Sequence, residues 1–523
     1  MITLFLIHFS NPVFRFFYNY LFNFSPEIFL LFSILSLICY KKLFQQRFNY
    51  IYSIIFIFIC IIILISTSLL VYLVFINSFF IKFGDFFLIN YKTSCMKILI
   101  LFISSICLIL FRHSLTKSQT NCLEYLICYL SINFMCLITL MVNTLQFIIV
   151  LIFLEFLVIC FYILSSFNYE NHGFLIFRII PKRKLLYFSF FLTCLGILVF
   201  QNYIYITNFL LNHHFTDNHY LNVFILNRDC LLTLSIIFIL IGLLFKMIMF
   251  HSPTQFIYYR KTPVLTIVFM HLIPKIVFFY FIIEFVYTNY YFILINYWVN
   301  FILLCISLSC LIISIGMRRL FLKHFMEYFS LVNSGYLLLC FVPLTYESLY
   351  YSIYFLFVYI FVIISYGGIL LFIDDQINPG IRMSFDFIFS NIEKQDYFTI
   401  ILSIIFFFFF GLPPTRRDYP CSRGVPFNGV VLQWLVITSL LSAESYVIVF
   451  FLIFFNIIIF FFYVGTIIPF WYMKRNMVFS KFPNYLNLLL VEFIIYFIFI
   501  IIFVFVQFDN HLIFNFLKTF YYN

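Results

Sequence analysis

Long apolar runs with few charges constrain the fold of this chain more than any other feature. Of its 523 residues, 65% are hydrophobic and 9% are charged, whereas soluble domains carry roughly 25% charged residues. So few polar side chains cannot cover a surface that faces water. The runs approach the roughly 20 residues that a helix needs to cross a bilayer. The sequence therefore predicts an all-α polytopic membrane protein.

Apolar segments of this length give fourteen predicted transmembrane helices. Their bounds are 26–40, 51–76, 93–111, 125–142, 145–167, 185–206, 231–250, 263–285, 297–316, 328–345, 350–373, 397–440, 444–470 and 486–507. Helix 7 ends at Pro253, and helix 12 is broken between Gly411 and Pro414. Proline and glycine at such breaks leave backbone N–H and C=O groups without helical partners, and these groups are tolerated where they line a polar cavity. Breaks five helices apart predict two inverted five-helix repeats, 122–285 and 297–470.

Basic residues in the connecting loops predict the orientation of the chain. Loops after odd-numbered helices carry 19 lysines and arginines, among them the cluster Lys182, Arg183 and Lys184, whereas loops after even-numbered helices carry few. By the positive-inside rule, the odd loops and their charges face inward, and both termini face outward. The net charge of +11 is therefore explained by topology. A nucleic-acid partner is not expected, because the charges are spread over seven short loops.

Four ionisable residues within the spans are candidates for function. Glu155 lies in helix 5, Lys246 in helix 7, and Lys275 with His271 one turn before it in helix 8. Charges inside a bilayer are expensive and are often parts of ion or proton pathways. An acid and two lysines form a switchable unit, since changing one charge alters the proton affinity of the next. The alternative is that each is a buried polar group satisfied by a neighbouring helix, without a transport role.

Motifs for cofactors and metals are absent from the sequence. It contains no glycine-rich nucleotide-binding motif, no paired CxxC cysteines and no HExxH-type histidine spacing. The 14 cysteines are scattered, as expected for small apolar core residues. We therefore expect this chain to bind no cofactor and no metal ion.

Several segments resemble the subunit 2 family of the NADH dehydrogenase of respiratory complex I. The stretch "GLLFKMIMFHSP" followed by "KTPVLTIVFMHLIPKI" resembles the family signature of helices 7 and 8, which places Lys246 and Lys275 on its two lysines. "SPEIFLLFSILSLI", "LEFLVICFYIL" with Glu155, "EYFSLVNSGYLLL" and "FGLPP" resemble further family segments in the same order. The resemblance covers about residues 20–510.

One segment departs from the family pattern. The family usually carries a lysine shortly after the GIPP-type segment of helix 12. Here residues 415–426, "TRRDYPCSRGVP", intervene as an insertion, and Val430 stands where that lysine is expected. Arg416, Arg417 or Arg423 could supply the charge, but an arginine does not readily release its proton.

The resemblance implies a proton-translocating membrane subunit of NADH:ubiquinone oxidoreductase, with the redox centres in other subunits. Glu155 and Lys246 would form the coupling pair, and Lys275 with His271 would pass the proton toward helix 12. The expected partners are other membrane-arm subunits, including a neighbouring antiporter-like subunit, and membrane lipids. Two alternatives stay open: a stand-alone cation/proton antiporter, and a scaffold subunit of the same complex that has lost pumping.

The resemblance and the composition also predict a location. The chain contains 84 phenylalanines and one alanine, Ala443, a bias that suggests an AT-rich genome such as that of an organelle. No cleavable targeting segment is evident at the N-terminus. We expect a mitochondrially encoded protein of the inner membrane, with both termini on the intermembrane-space side.

Overall fold

In the residues that it describes, a computed structural model of the chain contains α-helices and one short β-hairpin. It describes residues 24–43, 81–83, 87–117, 122–142, 147–166, 264–288, 322–343, 345–376 and 428–458, together with residue 63 and short helical pieces between 190 and 242. The helices are α1 (Ser25–Leu43), α2 (Tyr91–Lys117), α3 (Cys122–Met141), α4 (Phe147–Ser166), α5 (Val264–Thr288), α6 (Leu322–Leu339), α7 (Tyr346–Gln376) and α8 (Asn428–Ser442). A further helical stretch covers Tyr446–Ile458.

Each of these helices coincides with a predicted span or with part of one. Within the described residues, the helices at Glu124–Met141, Thr266–Glu284 and Glu347–Gly368 are long and apolar enough to cross a membrane. The prediction of a helical membrane protein is thus confirmed for this part of the chain. The count of fourteen spans and the two inverted repeats extend beyond it and stay predictions.

The first of two compact units is centred on α3. Unit 1 comprises residues 1–176, 276–284 and 522–523. In it, α3 packs against α1, α2 and α4, and the buried Tyr129 hydroxyl donates a hydrogen bond to the Ser104 carbonyl of α2 at 2.9 Å. Apolar side chains of these helices are fully buried, among them Leu30, Ile100 and Leu137.

A hairpin precedes α2 and was not expected from the sequence. Strand β1 (Ile81–Phe83) pairs antiparallel with β2 (Phe87–Ile89), with Lys82 opposite Leu88, and β2 contacts α2 and α3. Asn90 lies between strand β2 and helix α2. Its backbone N–H donates a hydrogen bond to the Thr93 hydroxyl at 2.9 Å, which caps the start of the helix. The hairpin lies in the loop that the charge pattern predicts to face outward.

Unit 2 comprises residues 177–275 and 285–521. Its helices α6, α7 and α8 pack on one another. Helix α7 begins with a reciprocal cap, in which the Ser348 N–H donates to the Thr345 hydroxyl and the Thr345 N–H donates to the Ser348 hydroxyl. Helix α5 is divided between the units: residues 264–275 belong to unit 2 and Ile276–Glu284 to unit 1.

Serine and threonine hydroxyls inside the helices find acceptors on their own helix. Each donates to the carbonyl three residues earlier, as seen for Ser33, Ser104, Thr139, Ser334, Ser352 and Ser439. An unsatisfied polar group is costly in an apolar bundle, and this local bond removes the problem without a partner helix. These residues therefore need no functional explanation.

Candidate functional site

Among the predicted site residues that the structure describes, Lys275 is the most deeply buried one with a formal charge. It lies on α5 with 1% of its surface exposed, and His271 lies one turn earlier with 0% exposed. Pro274 stands directly before the lysine inside the helix. Because proline has no N–H, the carbonyl four residues earlier loses its helical hydrogen bond. The lysine thus sits beside a weakened turn of an otherwise apolar helix.

Two neighbouring helices hold the Lys275 ammonium group. Its Nζ donates a hydrogen bond to the backbone carbonyl of Ser330 on α6. The same Nζ lies 4.4 Å from the centre of the Tyr359 ring on α7, a distance at which the ring face attracts a cation. Both of these partners are uncharged. Both contacts stabilise the ammonium form of the lysine.

Tyr359 also supports the turn that carries the lysine. Its hydroxyl donates to the His271 carbonyl at 3.2 Å, next to the peptide groups disturbed by Pro274. The ring stacks on Phe329, with centroids 6.4 Å apart and an interplanar angle of 23°. Tyr359 is itself 3% exposed. One buried tyrosine therefore contacts both the backbone before the lysine and the lysine's charged end.

A glycine allows α7 to come this close to α5. A Cβ atom at Gly367 would lie 2.5 Å from Cγ2 of Val268, whereas one at the next residue, Gly368, would meet nothing within 4 Å. Val268 precedes His271 by three residues, so the close approach and the site share neighbouring turns of α5. Only a residue without a side chain fits at position 367 unless the valine shifts.

The coupling pair predicted from the sequence is described only in part. Glu155 lies on α4 in unit 1 and is half-buried, next to the buried Leu154 and the 52% exposed Phe156. Lys246 lies outside the described residues, as do Pro253, the Gly411–Pro414 break and residues 415–426. Val430 belongs to α8, but its side chain is outside the described set. The pairing of Glu155 with Lys246 and the consequence of Val430 stay predictions.

Sequence reasoning missed a buried ion pair in unit 1. Lys97 Nζ on α2 lies 2.7 Å from Glu27 Oε1 on α1, and the two side chains are 1% and 5% exposed. Lys97 lies four residues inside predicted helix 3, and Glu27 is the second residue of predicted helix 1. Both helices run inward from the predicted outer face, so their first turns lie at one level of the membrane. This shared level in the membrane is the sequence feature that could have indicated the ion pair.

A second pair of opposite charges belongs to the same unit. Lys92, at the start of α2, attracts Glu284 electrostatically. The Glu284 carboxylate accepts a hydrogen bond from the Tyr280 hydroxyl one turn earlier. Glu284 was not among the candidates because it lies at the end of predicted helix 8.

Comparisons with known proteins identify the fold. No family model matches the chain, and no curated protein matches its sequence. Its structure, however, is similar to a chain of the membrane-bound sulfane sulfur reductase, an archaeal respiratory membrane complex, with a TM-score of 0.68 at 13% identity, over 94% of this chain and 95% of that one. At this identity the likeness establishes the fold alone.

Two further structures share this fold. A chain of respiratory complex I from Thermus thermophilus matches with a TM-score of 0.61 at 12% identity, over 90% of this chain and 96% of that one. A chain of the Mrp complex from Dietzia sp. matches with a TM-score of 0.60 at 11% identity, over 88% and 81%. The chain is thus a multi-pass helical membrane protein with the fold of membrane subunits from such complexes.

Proposed function

We propose that the chain is a proton-translocating, antiporter-like membrane subunit of respiratory complex I, of the subunit 2 type, in the mitochondrial inner membrane. The observation that carries the proposal is the buried Lys275, held between a backbone carbonyl and an aromatic ring in a proline-weakened helix. A charge in this position is expensive, and charges inside a bilayer are typical of ion and proton pathways. The fold shared with a chain of complex I supports the setting.

In this role the chain contributes no redox centre. Electron transfer would take place in other subunits, and the neighbouring membrane-arm subunits would deliver the driving signal as a change of charge. Moving one charge across the membrane requires about 2.3 kcal/mol per 100 mV, so the energy must come from outside the chain. Glu155 and Lys246 are proposed as the coupling pair, and Lys275 with His271 as the next carrier.

The first test is the assembly to which the chain belongs. Source membranes are solubilised in mild detergent and separated by native electrophoresis, with in-gel staining for NADH dehydrogenase and mass spectrometry of the active band. We expect this chain in that band. If it migrates alone, the complex I assignment fails, and cation/proton exchange by the chain in liposomes then tests the stand-alone antiporter.

The second test addresses the lysine. Lys275→Met removes the charge and keeps much of the volume, and we expect membranes with this variant to pump fewer protons per NADH oxidised. Lys323→Met, in the first turn of α6 at the predicted inner face, is the matched control and should pump normally. Unchanged pumping by an assembled Lys275→Met complex would favour the scaffold alternative.

A further inference from the structure

The Glu27–Lys97 ion pair is a buried titratable site that the proposed relay does not use. It lies entirely within unit 1, whereas Lys275 lies in unit 2. Glu27 is in the first turn of α1, and Lys97 is the seventh residue of α2. At a rise of about 1.5 Å per residue, Lys97 lies roughly 9 Å along the helix axis from its first residue.

Helix packing does not require this ion pair. Helices α1 and α2 each pack against α3, and the Tyr129–Ser104 hydrogen bond already links α2 to α3. A buried ion pair is a poor device for stability, because desolvating both charges offsets most of their attraction. Apolar side chains of similar volume would hold the helices at least as well. Retention of the charges at this depth points to a role for the charges themselves.

The two charged groups of the pair are close enough for a proton to pass between them. Nζ and Oε1 lie 2.7 Å apart as an ion pair, and a rotation of either side chain that aligns an N–H bond with the carboxylate oxygen lets a proton leave the Lys97 ammonium and bind the Glu27 carboxylate. The N–H bond breaks, an O–H bond forms, and a neutral amine and a neutral acid result. The neutral pair can then release the acid proton to water and take up another on the amine. No oxidant, reductant or further reactant is needed for this exchange.

The surroundings supply a charge that could bias this transfer. Lys92 lies five residues before Lys97 on α2 and interacts with Glu284 in the same unit. From α3, residues 132–141 carry no charged side chain, and β2 carries none. Lys92, Glu284 and Lys82 of β1 are therefore the charged groups, among the described residues at this end of unit 1, whose state would shift the balance between ion pair and neutral pair.

We infer that Glu27 and Lys97 form a second proton-exchanging site, near the predicted outer face of the membrane. Its ligand is the proton, and it exchanges with water at the end of α2 that begins after Asn90. The inference goes beyond the proposed function, which places proton transfer at Lys275, but its pumping assay rests on that function.

The experiment replaces Lys97 by a cation that keeps its charge but does not release its proton. Lys97→Arg can preserve the ion pair, because arginine stays protonated at accessible pH. We expect the variant complex to assemble and oxidise NADH, but to lose most of its proton pumping. Lys117→Arg, at the other end of the same helix, is the matched control and should pump normally. Normal pumping by an assembled Lys97→Arg complex would overturn the inference and make the pair a structural link.

A second variant decides the question if Lys97→Arg does not assemble. The double variant Glu27→Gln/Lys97→Met removes both titratable groups without leaving a lone buried charge. Assembly without pumping supports the site, and assembly with normal pumping overturns it. Comparison with Lys275→Met separates this inference from the proposed function: a loss confined to Lys275→Met refutes only the second site, and a loss confined to the Lys97 variants refutes only the relay through Lys275.

Discussion

Lys97 and Lys275 are buried to the same degree, yet their surroundings differ in kind. Lys97 faces a carboxylate at 2.7 Å in unit 1, whereas Lys275 is held in unit 2 by a carbonyl and a tyrosine ring. Replacing Lys97 therefore leaves behind a different set of groups from those left by replacing Lys275. In unit 1 the replacement leaves the Glu27 carboxylate buried, and in unit 2 it leaves the uncharged Ser330 carbonyl and Tyr359 ring. The partner, more than the burial, decides what each charge contributes to stability and to chemistry.

The largest expected effect compares the two lysines directly. Lys97→Met should destabilise the protein by about 3–5 kcal/mol, because it leaves Glu27 buried without its cation. Lys275→Met should destabilise it by only about 1–3 kcal/mol, since a neutral acceptor is left behind. Abundance of the assembled complex and its thermal stability in detergent would measure both. Equal losses for the two variants would break the comparison.

Restoring neutrality in unit 1 should reduce the difference in stability between the two lysine variants. Adding Glu27→Gln to Lys97→Met should recover a large part of the lost stability, because no uncompensated charge then remains. No second substitution is expected to be needed for Lys275→Met. A double variant as unstable as Lys97→Met alone would mean that shape, and not charge, dominates at the Glu27–Lys97 pair.

An intermediate effect is expected at the close approach of α7 to α5. Gly367→Ala places a Cβ atom 2.5 Å from Val268 Cγ2, and overpacking of this kind costs about 1–3 kcal/mol. The shift of α7 should also move Tyr359 away from Lys275 and reduce pumping. Gly368→Ala is the matched control, because its Cβ would meet no atom within 4 Å. Similar results for both variants would argue against a steric role for Gly367.

The smallest effects come from two buried tyrosines that differ in what they support. Tyr129→Phe and Tyr359→Phe each remove one hydrogen bond to a helix carbonyl, at about 0.5–1.5 kcal/mol of stability. The stability losses should be similar. Pumping should fall only for Tyr359→Phe, which loosens the turn before Lys275, while a phenyl ring still faces the ammonium group. A pumping defect in Tyr129→Phe would show that lost helix stability alone explains the pumping defects of both variants.

The helices and the buried lysine of α5 could be predicted from the sequence because their signals are local. Apolar length predicts a span, and a lysine after Pro274 in an apolar run is conspicuous by itself. The partners of Lys275 could not be predicted, since Ser330 and Tyr359 lie 55 and 84 positions away and meet it only through the packing of α6 and α7.

Other features escaped prediction for related reasons. Glu27 and Lys97 each lie near a helix start, where a charge alone is unremarkable, and only the packing of α1 and α2 on α3 brings them together. The β1–β2 hairpin has three-residue strands, too short for a periodic signal. The interpretation of Lys246, Val430 and the inverted repeats still rests on sequence patterns and stays a prediction.

The acceptor for Lys275 is a backbone carbonyl, and this has an evolutionary consequence. Any amino acid at position 330 brings the same oxygen, so mutation of that codon changes the side chain but not the contact. In a chain so rich in phenylalanine, isoleucine and leucine, a contact made by the helix backbone tolerates substitutions that would abolish a contact made by a side chain. For this contact, the side chain that must be kept is the lysine at position 275.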